Sequence, residues 1–229
     1  MSKDAITVKD LHISYRTLKG FSIKKSLLKM KMSKSEVFEA VRGVTFSVEK
    51  GKILGIIGKN GSGKSTMLRS IAGIFSPDSG TIDLHGNSVS LLSIGLGFQN
   101  KLTGCENIFL SGMLLGFSEK HIKERVNEII EFSELGKFIY KPVSSYSSGM
   151  YSKLAFSITA ILETDIMLID EVFSVGDVKF KEKSYNKMKE LISDENRTVV
   201  IVSHSLGTLK ELCNEVLWLH DGKIQQIRD

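Results

Sequence analysis

Eight consecutive residues, Gly58-Lys59-Asn60-Gly61-Ser62-Gly63-Lys64-Ser65, have the composition and spacing of a phosphate cradle, G-x-x-x-x-G-K-[ST]. Glycine lets the backbone wrap closely around phosphate oxygens with its N–H groups turned inward. A helix expected from about Ser65 to Ala72 adds the positive end of its dipole at the same point. Lys64 can then reach the β- and γ-phosphates, and the Ser65 hydroxyl is a ligand for Mg²⁺. The preceding run, Ile53-Leu54-Gly55-Ile56-Ile57, is short and apolar and is followed by glycine, the pattern of a buried parallel strand. Strand, glycine-rich loop and helix in that order favour a nucleoside triphosphate site over a mere glycine-rich turn. The ligating stretch expected from it is Gly58, Asn60, Gly61, Ser62, Gly63, Lys64, Ser65 and Thr66.

Two more apolar runs end in chemistry. Ile166-Met167-Leu168-Ile169 leads into Asp170-Glu171, and Thr198-Val199-Val200-Ile201-Val202 leads into Ser203-His204. Ligands of a parallel sheet sit beyond the carboxyl ends of its strands, so these side chains belong on the same edge as the phosphate loop. Asp170 can support Mg²⁺, and Glu171, projecting differently, can polarise an attacking water. An Asp-Glu pair after a strand is by itself more often a helix N-cap, and a lone histidine more often structural. Beside a phosphate loop those odds reverse, and His204 can hydrogen-bond the γ-phosphate.

Helical patterns separate these strands, which predicts an α/β core with a parallel sheet. Residues 5–9, 11–15 and 44–48 read as further strands, and 105–162 as mostly helix. Ile122, Val126, Ile129 and Ile130 fall on one helical face within 119–132, and 150–162 forms another helix. Neighbouring helices without strands between them imply a helical lobe inserted in the core. Residues 17–39 read as a basic insertion or linker: Lys19, Lys24, Lys25, Lys29, Lys31 and Lys34 alternate with Leu27, Leu28, Met30 and Met32. That mixture suits a membrane surface, with a solvated loop or a docking segment as the other readings.

The 229 residues suffice for one large domain with a sizeable core, and a 41% hydrophobic share excludes a disordered chain. No apolar stretch reaches the roughly 18 residues of a membrane span. The opening MSKDAITVKD lacks the apolar core of a secretory signal. Cys105 and Cys213 match no metal or redox spacing and read as small, partly buried apolar residues. A net charge of +5 suits nucleic acid, an anionic membrane or a phosphate-rich ligand without choosing among them.

In this order the pieces resemble the ATP-binding cassette ATPases over nearly the whole chain. Tyr146-Ser147-Ser148-Gly149-Met150 looks like the family signature, usually LSGGQ; it departs at several positions but keeps the serine and the second glycine. The resemblance implies a P-loop NTPase (RecA-like) α/β core with an antiparallel β subdomain and an inserted α-helical subdomain. It implies one domain, with 1–99 and 163–229 as nucleotide-binding core and 100–162 as helical signature subdomain. It further implies ATP and Mg²⁺ as cofactors and a head-to-tail homodimer, with Ser147 and Gly149 closing on the ATP of the opposite subunit. Gln99 matches a glutamine that contacts Mg²⁺ and links the site to a membrane partner. Asp177 matches the aspartate of the following loop, and Tyr15 an aromatic residue that stacks on adenine. Mg²⁺ would then be held by Ser65, Gln99 and Asp170, with Glu171, His204, Lys64 and Gln99 catalytic.

Within the family, the signature segment, Asp170-Glu171-Val172, Ser174-Val175-Gly176-Asp177 and Leu102-Thr103-Gly104 before Glu106-Asn107-Ile108 look like the ATPases that export lipid-linked bacterial polysaccharides. The long segment before residue 40 is more like the O-antigen and teichoic acid branch than the capsule branch. Such a subunit would lie peripherally on the cytoplasmic face of the inner (plasma) membrane, bound to a dimer of integral-membrane permease subunits and to no nucleic acid. Contact with the membrane would run through 17–39. The 25 residues after His204 suit one helix and a closing hairpin, so no C-terminal carbohydrate-binding domain is expected. A capsule exporter or a small-molecule transporter is the alternative, and a nucleic-acid or ribosome ATPase a more distant one.

Overall fold

The computed structural model describes residues 3–17, 36–92, 97–170, 177–194 and 196–228. The first two strands, β1 (Asp4–Thr17) and β2 (Glu36–Glu49), form a long antiparallel pair. The chain then enters β3 (Ile53–Ile57), the phosphate loop and helix α1 (Lys64–Ile71). Strands β4 (Ser79–Asp83) and β5 (Val89–Leu92) follow. Next come three helices, α2 (Gly104–Leu114), α3 (Glu119–Ser133) and α4 (Ser148–Leu162), with 3₁₀ turns at Gly136–Tyr140 and Val143–Ser145. The core resumes with β6 (Ile166–Asp170), α5 (Val178–Ile192), β7 (Thr198–Val202), α6 (Leu206–Leu212), β8 (Glu215–His220) and β9 (Lys223–Arg228).

The strands make two sheets, β2-β1-β4 and β5-β6-β7-β3-β8-β9. In the larger sheet β5 to β8 run parallel and only the edge strand β9 is antiparallel. The three apolar runs singled out in the sequence lie side by side as β6, β7 and β3, so Asp170, His204 and the phosphate loop leave one sheet edge together. The runs are apolar throughout because both faces are covered. Leu54, Ile56, Leu168, Val200 and Val202 turn toward α1 and the small sheet, with Ile6, Val8, Val41 and Met67. Met167, Ile169, Val199 and Ile201 turn the other way, onto Phe180, Met188, Leu191 and Leu209. Each such side chain contributes about 1.5–3 kcal/mol on burial.

The helical lobe has a core of its own. Ile122 and Ile129 of α3 are fully buried against Ile108, Ile139, Leu154 and Ile158, with Val126 and Ile130 partly buried beside them. Both expected helices are present, and the region after His204 holds the expected helix and hairpin. The strand-like opening over 5–9 and 11–15 forms a single strand, kinked where Asp10 takes a positive φ and the register shifts. One expectation needs correction: the basic insertion read as 17–39 is shorter, because Thr17 pairs with Glu36 and residues 37–39 continue the ladder. Val37 and Phe38, between Glu36 and Glu39, suit a strand, whereas composition groups them with the neighbouring lysines. All six lysines of that segment lie outside the described residues. No described helix is long and apolar enough to cross a membrane.

Candidate functional site

The phosphate loop is held from three directions. A Cβ on Gly58 would collide with the Leu219 carbonyl oxygen and come within 2.6 Å of Ser62 Oγ. Gly63 has φ 101°, and a Cβ there would collide with the Ala40 carbonyl oxygen. Glycine is therefore required at both positions by close backbone approach. The Gly222 amide donates to the Ser62 carbonyl at 3.1 Å, so the β8–β9 turn braces the loop as well. Helix α1 begins immediately after Gly63, with no side-chain cap and no acid in its first turn, leaving its N-terminal field for an anion.

Lys64 is 5% exposed; its ammonium donates to the Gly58 carbonyl at 2.8 Å and to the Lys59 carbonyl at 3.1 Å. These bonds arch the lysine back over the loop, where a phosphate would rest. Ser65 Oγ donates to Asp170 Oδ1 at 3.0 Å. This joins the start of α1 to the end of β6 and pairs two hard oxygen donors, the ligand type that Mg²⁺ takes. Ser62 Oγ is buried without a hydrogen-bond partner among the described residues. A cavity of about 160 Å³ runs along the loop, lined by Asn60, Gly61, Ser62, Gly63, Lys64, Ser65, Thr66 and His204. His204 thus lies across the mouth from Lys64, as its place after β7 predicts.

Tyr15 reaches the same neighbourhood from β1. Its hydroxyl donates to Thr66 Oγ1 at 3.2 Å, its ring meets Phe75 edge-on at 6.3 Å, and it remains 41% exposed. The ring therefore packs on Phe75 and keeps exposed surface.

Other expected residues are not gathered here. Gln99 is exposed and does not line the cavity; its backbone is fixed instead by Asn107. Asn107 is fully buried, accepts from the Gln99 amide at 2.8 Å and donates to the Gln99, Leu102 and Thr103 carbonyls. Sequence reasoning quoted Asn107 without giving it a role; an amide next to the apolar Ile108 and Phe109 early in a helix was the available signal. Glu171 lies outside the described residues.

The signature segment stands apart from the loop. Ser147 is the N-cap of α4, its Oγ accepting from the Met150 amide at 3.2 Å. Ser147 and Ser148 are exposed, and a Cβ on Gly149 would find nothing nearer than Ser147 Oγ at 3.9 Å. None of these residues lines the cavity. Asp177 is engaged within its own chain: it caps α5 through the Phe180 amide at 3.0 Å and pairs with Lys153 of α4 at 2.6 Å. The hydrogen bond from Lys153, with that from the Phe180 amide, holds its carboxyl below the usual carboxylate range. Burial pushes the Cys213 thiol up to about 12, which fits an inert packing residue.

Comparison with known proteins agrees with this geometry. The family model described as ABC transporter matches residues 41–174, which hold the phosphate loop, the signature segment and Asp170. An O-antigen export system ATP-binding protein of Myxococcus xanthus is 41% identical over 235 residues, covering 99% of this chain and 54% of that protein. A teichoic acids export ATP-binding protein of Bacillus anthracis is 44% identical over 194 residues, covering 85% of this chain and 35% of that one. The chain thus spans about half the length of the first relative and a third of the second. An O-antigen export system ATP-binding protein of Klebsiella pneumoniae is 41% identical, covering 85% of this chain and 78% of its own. Among solved structures, an ATP binding subunit of an ABC transporter superposes with a TM-score of 0.73 at 23% identity, covering 98% of this chain and 89% of that one. A dimeric ATP-binding cassette in a post-hydrolysis state, bound to ADP and Pi, gives 0.72 at 22%, covering 98% of both chains. At such identities these two bear on the fold.

Proposed function

Because the chain belongs to the ABC transporter family, we propose that it is the ATP-hydrolysing subunit of an exporter of lipid-linked bacterial polysaccharide, of the O-antigen or teichoic acid type. The observation that carries the catalytic part is the Ser65–Asp170 bond at 3.0 Å beside a cavity walled by the phosphate loop and His204. It sets a cation-binding oxygen pair next to an anion cradle, the pairing that a metal–triphosphate substrate needs. The polymer class rests on the relatives at 41–44% identity.

In this reading the loop amides and the α1 N-terminus bind the phosphates, and Lys64 turns from the Gly58 and Lys59 carbonyls to the β- and γ-phosphate oxygens. Ser65 and Asp170 would hold Mg²⁺, with Gln99 joining on closure; the ion would neutralise phosphate charge. Tyr15 offers its ring to the base. Glu171 orients and polarises the attacking water, and His204 hydrogen-bonds the γ-phosphate. Phosphoryl transfer asks mainly for positioning and charge stabilisation, which this set supplies. Ser147 and Gly149 complete the site of a second copy, in a head-to-tail homodimer. Their separation from the cavity within one chain supports that arrangement, as does the dimeric state of one structural neighbour.

Transport would require a permease in the membrane, with this chain peripheral on its cytoplasmic side. The surface beside Gln99 suits that partner: Met113 and Leu114 at the end of α2 are 52% and 57% exposed, and Phe98 packs at a tilt against Tyr151 at 4.8 Å. The test is reconstitution with a polysaccharide permease in vesicles. ATP-dependent polymer transport that Lys64→Ala abolishes is the expected outcome. ATP hydrolysis without polymer movement, in a complex shown to assemble, would leave the ATPase standing and overturn the cargo.

A further inference from the structure

The loop that follows α1 holds the far end of β1. Strand β4 begins at Ser79, opposite His12, so among the described residues β1 beyond His12 has a strand partner on its β2 side alone. At that point the Ser14 amide donates to Asp78 Oδ2 at 2.5 Å, and the Ser14 hydroxyl donates to the same oxygen at 2.7 Å. The Asp78 amide donates in turn to the His12 carbonyl at 2.9 Å. One side-chain carboxylate thus stands in for a strand at the residue before Tyr15. The bonds from Ser14 hold the Asp78 carboxyl below the usual carboxylate range, so it is ionised at neutral pH and both bonds are charge-assisted. The loop is itself tied to α1. Ser70, 4% exposed, donates to the Phe75 carbonyl at 3.2 Å, and the Gly73 and Ile74 amides donate to the Ser70 and Arg69 carbonyls at 3.0 Å.

Tyr15 is therefore located from one helix by three contacts. Its hydroxyl rests on Thr66 of α1, its ring edge on Phe75, and its backbone is anchored one residue earlier by Asp78. The N-terminus of that same helix closes the phosphate loop. The reach from the Tyr15 ring to the phosphate cradle is thus set by one packed piece of chain. A ring already held where the base falls loses little freedom when the nucleotide arrives, whereas a loosely held ring must be ordered on binding. We propose that Asp78 is a positioning residue for the base of ATP, anchoring β1 at Ser14 so that Tyr15 presents its ring at a fixed reach from the phosphate loop. This rests on the reading that Tyr15 stacks on that base. Asp78 acts through Tyr15 and contributes to the base end of the ligand alone, so its removal is felt by a nucleotide and not by a triphosphate that carries no base.

The experiment measures, by calorimetry on the full chain, the affinities of ATP with Mg²⁺ and of inorganic tripolyphosphate with Mg²⁺. The parent is compared with Asp78→Ala, Asp78→Asn, Tyr15→Ala and Asp78→Ala/Tyr15→Ala. Tyr15→Ala is expected to weaken ATP about fivefold, the worth of one stacked ring. Asp78→Ala should weaken ATP about threefold and raise KM in proportion, with kcat within about twofold of the parent. Tripolyphosphate affinity should stay within about 1.5-fold of the parent in every variant, since the phosphate loop is untouched. Asp78→Asn keeps an acceptor for Ser14 and should recover most of the loss, and the double variant should be no worse than Tyr15→Ala. Parental ATP affinity in Asp78→Ala, an equal loss for both ligands, or additive losses in the double variant would each overturn the role of Asp78 while leaving Tyr15 on the base. If Asp78→Ala does not fold, Ser14→Ala, which removes one of the two bonds and spares the loop, decides by the same comparison of the two ligands. Parental ATP affinity in Tyr15→Ala would instead remove the base-stacking reading, and the proposal with it.

Discussion

The phosphate loop and the signature segment are both glycine- and serine-rich turns that open a helix, yet their surroundings differ. The loop is enclosed: backbone from β2, β8 and the β8–β9 turn presses on it, and Lys64 is 5% exposed. The signature segment is open: Ser147 and Ser148 face outward and space surrounds Gly149. A half-site braced from several directions by its own chain is preorganised for its ligand. A half-site with an exposed helix N-terminus and no walls needs a second surface to complete it.

The largest expected effect breaks the enclosed half. Lys64→Ala removes the buried ammonium against the phosphates and should lower hydrolysis by at least about a hundredfold. Measured ATP affinity should fall with it, while thermal stability stays within a few degrees of the parent. Near-parental turnover would remove the loop from the mechanism.

The open half should fail differently. A Cβ at Gly149 meets nothing nearer than Ser147 Oγ at 3.9 Å, so Gly149→Arg should fold and even favour the helix. It should bind ATP like the parent and lose hydrolysis by about a hundredfold, because the obstruction appears only when a second surface closes. Weakened ATP binding to single chains would place the signature segment in the same site as the loop. Glu171→Gln sharpens the contrast: it should trap ATP between two chains, seen by light scattering as an accumulating dimer.

A smaller effect is expected at Asn107. Asn107→Leu removes the acceptor of the Gln99 amide and the side-chain donor to the Gln99, Leu102 and Thr103 carbonyls, at a cost of about 1–3 kcal/mol, read as a lower denaturant midpoint. ATP binding should be unchanged, since Asn107 does not line the cavity. Coupling to the permease should suffer more than hydrolysis by the chain alone.

The smallest effect concerns pH. The hydrogen bond from Lys153 lowers the Asp177 carboxyl below its unfolded value, so its contribution is complete above the unfolded pKa. It is lost only as pH falls through the lower folded value. The α4–α5 link should therefore be indifferent to pH from about 8 down to about 4. A carboxyl titration by NMR should find Asp177 below the usual carboxylate range, and Lys153→Met should raise it.

The same contrast explains what was legible in the sequence. The enclosed half is local: strand, loop and helix are consecutive, and the glycines at 58 and 63 are dictated by steric limits that the spacing already expresses. Asp170 and His204 were legible because strand ends converge in a parallel sheet. The contacts that join distant segments left little mark. Nothing in the order of residues says that Lys153 reaches Asp177 or that Asn107 grips Gln99, because these pairings depend on how the lobe packs. Strands β4 and β5 also went unread, being short and, in β4, mostly exposed and polar. The ends of the 17–39 segment were misread because Thr17 and residues 36–39 adjoin the lysine-rich stretch with no turn signal between them, and their pairing is set by the opposite strand.

The most direct test of a divided site is specific ATPase activity as the purified chain is diluted. An open half on each chain that completes the enclosed half of a partner predicts that activity per chain falls with concentration as dimers dissociate, while ATP binding per chain persists. Activity per chain that stays constant into dilutions where light scattering finds only single chains would contradict it.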